Sequence, residues 1–401
     1  MEIKVIKMKE IPLMNIKRQF ETFSSEYEES VLQVLKSGNY IGGEVVEEFE
    51  NKFANYCSCK YAISCANGTD ALIIALRAIG IGKGDEVITT SLSFFATSEA
   101  ISSLGAIPVF IDIDPITYCI DTNLIRKKIS INTKAILPVH IYGCPCNMNE
   151  INKIAKEYNL KIIEDCAQAI GTLYNGSKVG SLSDIGCFSF FPTKTLGCAG
   201  DGGCIVTNNY EYAETCRALR VHGSGKNGFN TLKRDCTKLG KNFLNEIEFV
   251  DDKYHNYIIG YNSRLDAVQA ALLNVKIEKL ESFIADRRKH ANVYRELLKG
   301  TNYIMPFEDA TIRHSYYIFV LQHSNAEEIM KKLRESGIGC GVYYPVPLHL
   351  EPVYNLSNKS NTLPVVEKFV KSSFAIPIYP ELTDEEQDYI IKKLIEFDKL
   401  Y

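Results

Sequence analysis

Hydrophobic and polar positions follow two alternating patterns between residues 61 and 206. Short apolar runs such as YAISCA and LKIIEDC alternate with longer amphipathic segments such as DALIIALRAIG. Strand-length runs separated by helix-length segments predict parallel strands joined by crossover helices. Runs without a polar face predict a sheet that is covered on both sides. We therefore expect an α/β domain of the doubly wound kind.

The pattern changes in the second half of the chain. Residues 224–256 are polar, of mixed charge and without a clear period, which predicts a long excursion in the manner of an active-site lid or spacer. Residues 263–298 then have apolar positions at helical spacing and predict a helix. The remaining segments predict a smaller α+β lobe. We divide the chain into a large α/β domain with an N-terminal extension, residues 1–250, and a small C-terminal α+β domain, residues 251–401.

Composition is that of an ordinary globular protein. The chain has 401 residues, of which 46% are hydrophobic and 23% charged, and its formal net charge is −4. This balance excludes a polyanion-binding surface, so we expect no nucleic-acid partner. The N-terminus lacks the apolar core of an export signal, and no apolar run approaches the length that spans a bilayer. We therefore expect a cytoplasmic protein that does not associate with membranes.

Thirteen cysteines stand mostly alone within hydrophobic runs. An odd number of cysteines in such positions predicts buried, reduced thiols rather than a disulfide framework. The pairs Cys57/Cys59 and Cys144/Cys146 lack a second cysteine pair or a histidine pair at the spacing of zinc sites, so we expect no metal. A cysteine-based metal or redox protein is nevertheless one class of function to be tested.

Two short stretches place polar groups at the end of predicted strands, where ligands of parallel sheets gather. In ISCANGTDALIIAL, Gly68 and Thr69 begin a helix whose free N–H groups favour a phosphate. In LKIIEDCAQAIG, Asp165 ends an apolar strand, and a buried carboxylate there needs a cation such as a protonated pyridine nitrogen. Each stretch taken alone also fits an ordinary helix cap.

A third stretch, FSFFPTKTLGCAGDGG, surrounds Lys194 with apolar residues and glycines. Apolar surroundings disfavour the ammonium form, and a neutral amine forms a Schiff base with an aldehyde. The alternative is a lysine whose charged end reaches water. Ser189 adds a hydroxyl for the same phosphate. The three stretches together predict pyridoxal 5′-phosphate (PLP), with Phe94, or its neighbour Phe95, as the ring that covers the pyridine.

The chain resembles the DegT/StrS-type nucleotide-sugar aminotransferases. The resemblance is carried by segments along nearly the whole chain, among them ANGTDAL, GDEVIT, IIEDCAQAIG, FSFFPTKTLGCAGDGGCIVTNN, GYNSRLDAVQAA and YYPVPLHLEPVY. It implies the fold-type-I aspartate aminotransferase architecture, which is a three-layer α/β fold with a mostly parallel central sheet and a smaller C-terminal α+β domain.

The resemblance also implies roles for individual residues. Lys194 corresponds to the lysine that bonds to the PLP aldehyde and then acts as acid and base. The other cofactor contacts it implies are Asp165 at the pyridine nitrogen, Gln168 at the phenolic oxygen, Phe94 on the ring, and Gly68, Thr69 and Ser189 at the phosphate. Asn262 corresponds to a residue that reaches the phosphate of the neighbouring subunit, which implies a homodimer with shared active sites. The candidate substrate contacts are His222, Arg264, Tyr343 and His349.

The implied reaction transfers an amino group from L-glutamate to a keto sugar carried on a nucleoside diphosphate, with the cofactor alternating between PLP and pyridoxamine phosphate (PMP). The favoured substrate is a dTDP- or UDP-linked 3-keto sugar, aminated at C-3, for surface glycans or glycosylated products. Tyr343 stands where uronate-specific members have histidine, which weakens the case for a sugar carboxylate. The alternatives are C-4 amination of a 4-keto-6-deoxy sugar nucleotide and a non-catalytic, PLP-binding regulatory protein.

Overall fold

The computed structural model describes residues 10–238, 247–250, 254–355 and 362–401. Its strands are β1 (Tyr61–Cys65), β2 (Glu86–Thr90), β3 (Ile107–Ile111), β4 (Thr133–Leu137), β5 (Lys161–Asp165), β6 (Leu173–Tyr174), β7 (Ser177–Lys178), β8 (Ile185–Ser189), β9 (Gly203–Thr207), β10 (Ile312–Arg313), β11 (Phe319–Gln322) and β12 (Ser373–Ile376). Its α-helices are α1 (Ile16–Ser37), α2 (Glu44–Cys57), α3 (Gly68–Ala78), α4 (Ala96–Ser103), α5 (Thr122–Lys128), α6 (Met148–Tyr158), α7 (Tyr210–Leu219), α8 (Gly225–Lys238), α9 (Ala267–Ile277), α10 (Leu280–Leu297), α11 (Ala326–Glu335), α12 (Pro352–Asn355), α13 (Pro364–Ser372) and α14 (Asp384–Asp398).

The centre of the molecule is a seven-stranded sheet in the order β1-β9-β8-β5-β4-β2-β3. The pairs β2–β3, β2–β4, β4–β5 and β5–β8 are parallel, whereas β9 runs antiparallel to both of its neighbours. Crossover helices α4, α5 and α6 connect β2 to β3, β3 to β4 and β4 to β5, as the alternating pattern predicts, whereas β5 is connected to β8 through the short strands β6 and β7. The mostly parallel sheet is confirmed, and the carboxyl ends of β5 and β8 lie side by side.

Apolar side chains cover both faces of this sheet. Successive residues of β9 point to opposite faces, so that Ile205 belongs to one buried cluster and Val206 to the other. The first cluster contains residues of α3 to α6, and the second contains residues of α2 and α9. Burial on both faces explains why the strands are continuous apolar runs without a polar side.

A third apolar cluster fills the C-terminal lobe. It joins α10, α11 and α14 to the antiparallel pair β11–β12. Near the start of the described chain, Ile11 forms a parallel bridge with Ile338 and packs in this same cluster. The last helix begins with a capping box between Thr383 and Glu386, which satisfies two of the helix's free N–H groups.

Two predictions from the periodic pattern were wrong. The segment predicted to be an excursion, 224–256, contains a helix, α8, over Gly225–Lys238. Its buried side consists of small or polar residues, and Arg234 pairs with Glu214 of α7, a tertiary contact that the pattern does not reveal. Residues 239–246 and 251–253 of that excursion lie outside the described residues. The single helix predicted over 263–298 is two helices, α9 and α10, which are separated at Glu278 and Lys279.

All thirteen cysteines are free thiols, and all but the partly exposed Cys340 are buried. The prediction of buried, reduced cysteines is therefore confirmed. Among the described residues, no helix is both long enough and apolar enough to cross a membrane.

Candidate active site

The start of α3 meets the end of β8 so closely that only glycine fits between them. A Cβ atom on Gly68 would lie 2.7 Å from Cβ of Ser189. Asn67 caps the helix by accepting the N–H of Asp70 at 2.8 Å. Within the described residues, no acceptor is bound to the backbone N–H groups of Gly68 and Thr69. These two donors and the Ser189 hydroxyl therefore form one patch suited to an anion.

Asp165 stands at the carboxyl end of β5 and is 4% exposed. Its Oδ2 accepts a hydrogen bond from Oγ1 of Thr97 at 2.8 Å, and its Oδ1 accepts one from the N–H of Ala167 at 3.1 Å. Burial raises the pKa of Asp165, while these hydrogen bonds and the charge of Lys194 act in the opposite direction. The carboxylate is thus fixed in place by donors, and a further cation beside it would stabilise its ionised form.

The hydroxyl of Thr97 is itself held by a second hydroxyl, that of Ser93. Ser93 and Thr97 are 2.7 Å apart, and because the proton of Thr97 points to Asp165, Ser93 donates to Thr97. Sequence reasoning missed Thr97, although it follows Phe94 by three residues in the stretch SLSFFATS. Its position in the first turn of α4 directs it at the end of β5, which only the fold reveals.

Gln168 is held at both ends of its amide. Its Oε1 accepts the N–H of Tyr142 at 2.9 Å, and its Nε2 donates to the hydroxyl of Tyr344 at 3.1 Å. The ring of Tyr344 lies 5.7 Å from that of Phe94, centre to centre. Tyr344 is a second residue that sequence reasoning missed as a member of the site, since it reaches Gln168 from the distant C-terminal lobe.

Of the two neighbouring phenylalanines, Phe94 is the one beside the site. It is 55% exposed and lies next to Tyr344. Phe95 packs against Tyr354 instead, with 6.0 Å between ring centres, and belongs to the wall behind the site.

Lys194 is half-buried in the loop between β8 and β9. Its Nζ lies 4.5 Å from the centre of the Tyr317 ring, a cation–π distance, and its charge acts on Asp165. The loop is tightly turned, because the N–H of Lys194 donates to the carbonyl of Phe191 at 2.8 Å and that of Cys198 to Phe190 at 2.7 Å. The structure therefore brings Lys194 and Asp165 to the same end of the sheet.

Asn262 and Arg264 lie in a segment that docks on the start of α3. Between them, the Ser263 hydroxyl donates to Oδ2 of Asp70 at 2.6 Å and accepts the N–H of Ala66 at 3.1 Å. Asn262 is exposed and Arg264 half-buried, and neither side chain has a hydrogen-bond partner in the described part of the chain. Both are therefore free to bind groups outside this chain.

The remaining candidate substrate contacts differ in exposure. His222 is exposed in the turn before α8, and Tyr343 is half-buried, with its carbonyl accepting the Tyr142 hydroxyl. His349 is only 6% exposed, and its ring nitrogens contact the Ser91 hydroxyl at 2.6 Å and Oε1 of Glu367 at 3.2 Å. The structure does not bring His349 to the open part of the site, because both ring nitrogens are engaged within the chain.

Beneath Asp165, a buried group of His140, Glu164 and Cys166 has ligand atoms close enough to hold a metal. However, Nδ1 of His140 accepts the N–H of Cys146 at 3.0 Å, so the ring proton is on Nε2 and points to Glu164 at 3.0 Å. Both Glu164 oxygens also accept backbone N–H groups, from Gly180 and Leu182. The histidine therefore has no lone pair for a metal, and the group instead braces the end of β5.

Comparison with known proteins gives a consistent result. The model of the DegT/DnrJ/EryC1/StrS aminotransferase family matches residues 22–395. A pleiotropic regulatory protein of Geobacillus stearothermophilus is 42% identical over 96% of this chain and 98% of its own. The dTDP-3-amino-3,6-dideoxy-α-D-galactopyranose transaminase of Aneurinibacillus thermoaerophilus is 40% identical over 95% of this chain and 98% of its own.

Solved structures have the same architecture. S. venezuelae DesV, in complex with a ketimine intermediate, superposes with a TM-score of 0.89 at 34% identity and covers 98% of this chain and 99% of its own. NtdA from Bacillus subtilis, with bound cofactor PMP, superposes with a TM-score of 0.86 at 31% identity, over 99% of this chain and 87% of its own.

Proposed function

The chain belongs to the DegT/DnrJ/EryC1/StrS aminotransferase family, and from that premise we propose that it transfers an amino group from L-glutamate to C-3 of a nucleotide-linked 3-keto sugar. The family, the α/β architecture, the PLP dependence and the class of sugar aminotransferase are confirmed as the sequence predicts them. The donor, the exact sugar, the residue roles and the shared dimer site are proposals. The domain division at residue 250 and the cytoplasmic location stay predictions.

The residues at the carboxyl ends of β5 and β8 fit PLP. The anion patch of Gly68, Thr69 and Ser189 suits its phosphate, because the two N–H groups have no other acceptor among the described residues. Asp165 suits its pyridine nitrogen, because a buried carboxylate with a raised pKa gains most from a cation. When bound, PLP supplies an aldehyde for a lysine and a ring that accepts electrons. The single observation that carries the proposal is this placement of patch, carboxylate and Lys194 at one end of the sheet.

Each residue then has a defined task. Lys194 would hold the cofactor covalently and, once freed by the incoming amine, would serve as the acid and base at the substrate carbon. Asp165 would pair with the ring nitrogen, and the donors from Thr97 and Ala167 support the ionised, correctly oriented form of Asp165. Gln168 would donate to the phenolic oxygen, and Phe94 would cover one face of the ring.

The surroundings of Lys194 favour a sugar without a carboxylate. The aromatic residues Phe94, Tyr317 and Tyr344, which lie beside Lys194 and Gln168, offer no cation to a sugar carboxylate. Tyr343 replaces the histidine expected of uronate-specific members, and His349 is engaged by Ser91 and Glu367. We therefore assign the remaining cations, His222 and Arg264, to the diphosphate of the nucleotide.

A homodimer with shared active sites is supported by the exposed apolar surface next to Asn262. Ile41 forms a backbone bridge with Asp266, and the carbonyl of Tyr40 accepts the N–H of Ala267 at 2.9 Å. The side chains of Tyr40 and Ile41 are both exposed, so the segment that contains Asn262 is flanked by uncovered apolar area. A second copy of the chain would cover this area and would place Asn262 at its partner's phosphate patch.

A regulatory protein without turnover is the second candidate, and the name of the Geobacillus stearothermophilus relative favours it. Against it stands the complete set of groups that amino transfer needs, because Lys194, Asp165 and Gln168 are all present and placed together. A regulatory protein without turnover is expected to have lost the lysine that amino transfer needs, and this chain keeps Lys194.

The proposal is tested by assaying amino transfer directly. The purified protein is incubated with L-glutamate and a panel of dTDP- and UDP-linked 3-keto and 4-keto sugars, and the amino sugar is detected by mass. We expect product with a neutral 3-keto sugar, and none with Lys194→Ala. Product only from 4-keto sugars would overturn the regiochemistry, and no product from any sugar by a PLP-loaded protein would favour the regulatory candidate.

A further inference from the structure

Helix α9 contacts the loop after Lys194 at two points. Near its start, Oε1 of Gln269 accepts the N–H of Ala199 at 2.9 Å. Near its end, Nζ of Lys276 donates to the carbonyl of Gly197 at 2.7 Å. The two contacts are made by Gly197 and Ala199, and Gly200 follows, so this part of the loop has few side chains that could fix its position. Gln269 and Lys276 of α9 thus hold the loop through hydrogen bonds to the loop's backbone.

Lys276 is an unusual residue for this task, because it is only 7% exposed. Its Nζ donates a second hydrogen bond to Oε1 of Gln19 in α1 at 3.1 Å, and it lies 5.5 Å from the centre of the Tyr27 ring. No carboxylate forms an ion pair with it among the described residues. Burial lowers the pKa of Lys276, and the charge of Glu381 opposes this effect from a distance.

Burying an unpaired ammonium is costly, and a buried methionine or leucine would fill the same space without that cost. Lys276 is instead placed where its protons are shared between two neutral oxygens, one of which belongs to the Lys194 loop. This arrangement links α1, α9 and the loop through a single atom. A role limited to packing would not require a charge at this position.

We propose that Lys276 is a positioning residue for Lys194, and that it sets the conformation of the loop from the side opposite to the cofactor. The proposal rests on the proposed function of Lys194. Losing the bond to Gly197 would let the loop shift, and catalytic groups displaced by about 1 Å lose up to a hundredfold in rate.

Lys279 offers a matched control. It follows α9 directly and bonds Glu26 of α1 at 3.0 Å, so it also links this region to α1, but at the surface. It makes no hydrogen bond to the Lys194 loop among the described residues. Lys279→Met therefore measures the effect of losing a contact with α1 alone. Lys276→Met loses a contact with α1 and also the hydrogen bond to the carbonyl of Gly197 in the loop.

The experiment uses the PLP-loaded protein. For Lys276→Met we expect kcat to fall about tenfold or more, with KM for glutamate changed less than about threefold. We also expect cofactor-free Lys276→Met to take up PLP more slowly than wild type, because the loop that carries Lys194 loses its bond through Gly197. Gln269→Leu removes the other anchor, the acceptor for the N–H of Ala199, so it should also lower kcat and slow PLP uptake. Lys279→Met should alter neither quantity.

Circular dichroism and thermal unfolding establish that each variant is folded, and the rate at which cofactor-free protein takes up PLP gives a readout independent of turnover. Should Lys276→Met fail to fold, Gln269→Leu alone decides the question through kcat and PLP uptake. The inference is overturned if the folded anchor variants match the wild type within twofold, or if Lys279→Met loses as much as Lys276→Met. A wild type without visible absorbance, or one unchanged by Lys194→Ala, would instead refute the proposed function.

Discussion

The hydroxyl of Thr97 donates to the carboxylate of Asp165 at 2.8 Å, and both side chains are buried at the carboxyl end of β5. A hydrogen bond to a buried charged group contributes about 1.5–3 kcal/mol. Thr97 therefore supports the ionised form of Asp165, which is the form that pairs with the cofactor's ring nitrogen.

We predict that Thr97→Val weakens PLP binding by roughly tenfold to a hundredfold, because the substitution keeps the shape of the side chain and removes the donor. Equilibrium dialysis followed by absorbance measures the dissociation constant. Ser98→Ala is the control, since Ser98 lies beside Thr97 in α4 but donates only to the carbonyl of Phe95. Equal affinities for Thr97→Val and wild type would show that Thr97 does not support the cofactor.

Asp165→Asn should separate stability from activity. The pKa of Asp165 is raised above its ordinary value of 3.8 by burial, so ionising it costs folding free energy as the pH rises past that value. An amide avoids this cost, and the Thr97–Ser93 hydroxyls can reverse their hydrogen bonds to accept from it. The cofactor-free variant should therefore be as stable as wild type or more stable at pH 7, with its advantage disappearing as the pH falls toward 4.

Turnover by Asp165→Asn should nevertheless fall more than about a hundredfold, since the ring nitrogen loses its charged partner. Thermal unfolding of the cofactor-free proteins from pH 4 to pH 8 measures the first effect, and amino-sugar formation the second. A variant that is destabilised at pH 7, or that keeps its activity, contradicts this account of Asp165.

Phe94→Ala and Phe95→Ala form a matched pair of adjacent truncations. Phe94 is 55% exposed beside Tyr344, so its loss should weaken PLP binding about tenfold while leaving the unfolding temperature nearly unchanged. Phe95 packs on Tyr354, so its loss should lower the unfolding temperature and affect PLP binding less. If Phe95→Ala weakened PLP binding and Phe94→Ala lowered the unfolding temperature, Phe95 would be the ring that covers the cofactor.

His349→Ala is expected to act on stability rather than on sugar affinity. The substitution removes the imidazole from the buried Ser91 hydroxyl and from Glu367, which keep only the backbone N–H groups of residue 349 and Leu363, and the lost contacts cost about 1–3 kcal/mol. We therefore expect a lower unfolding temperature, with KM for the sugar nucleotide within about threefold of wild type. A KM raised tenfold or more in a fully stable variant would indicate instead that His349 binds the substrate.

Local sequence was enough to predict the central part of the site. Gly68, Asp165 and Lys194 each end or follow a strand, and ligands gather at the carboxyl ends of parallel strands, so the strand pattern alone places these three residues together. The residue pattern left Phe94 and Phe95 open, and the resemblance implies Phe94; the fold places both between β2 and α4, with Phe94 beside Tyr344 and Phe95 against Tyr354.

Contacts between distant parts of the chain could not be predicted. Tyr344 reaches Gln168 across 176 positions, and Lys276 reaches Gly197 across 79. Histidine is a residue type that often binds substrates. The ring of His349, however, is hydrogen-bonded to Glu367 of α13 and is not available to a substrate. The helix α8 was missed for a related reason, because it is held by contacts with distant residues, among them the pairing of Arg234 with Glu214 and the packing of Phe229 on Tyr257.

The central claim is that Lys194 alone bonds to PLP. It is tested most directly by reducing the PLP-loaded protein with borohydride, digesting it and mapping the modified lysine by mass spectrometry. We predict one modified peptide, spanning the β8–β9 loop, with the added mass on Lys194 and none in Lys194→Ala. A modified lysine elsewhere, or no modified lysine in a protein that still forms amino sugars, would contradict the account.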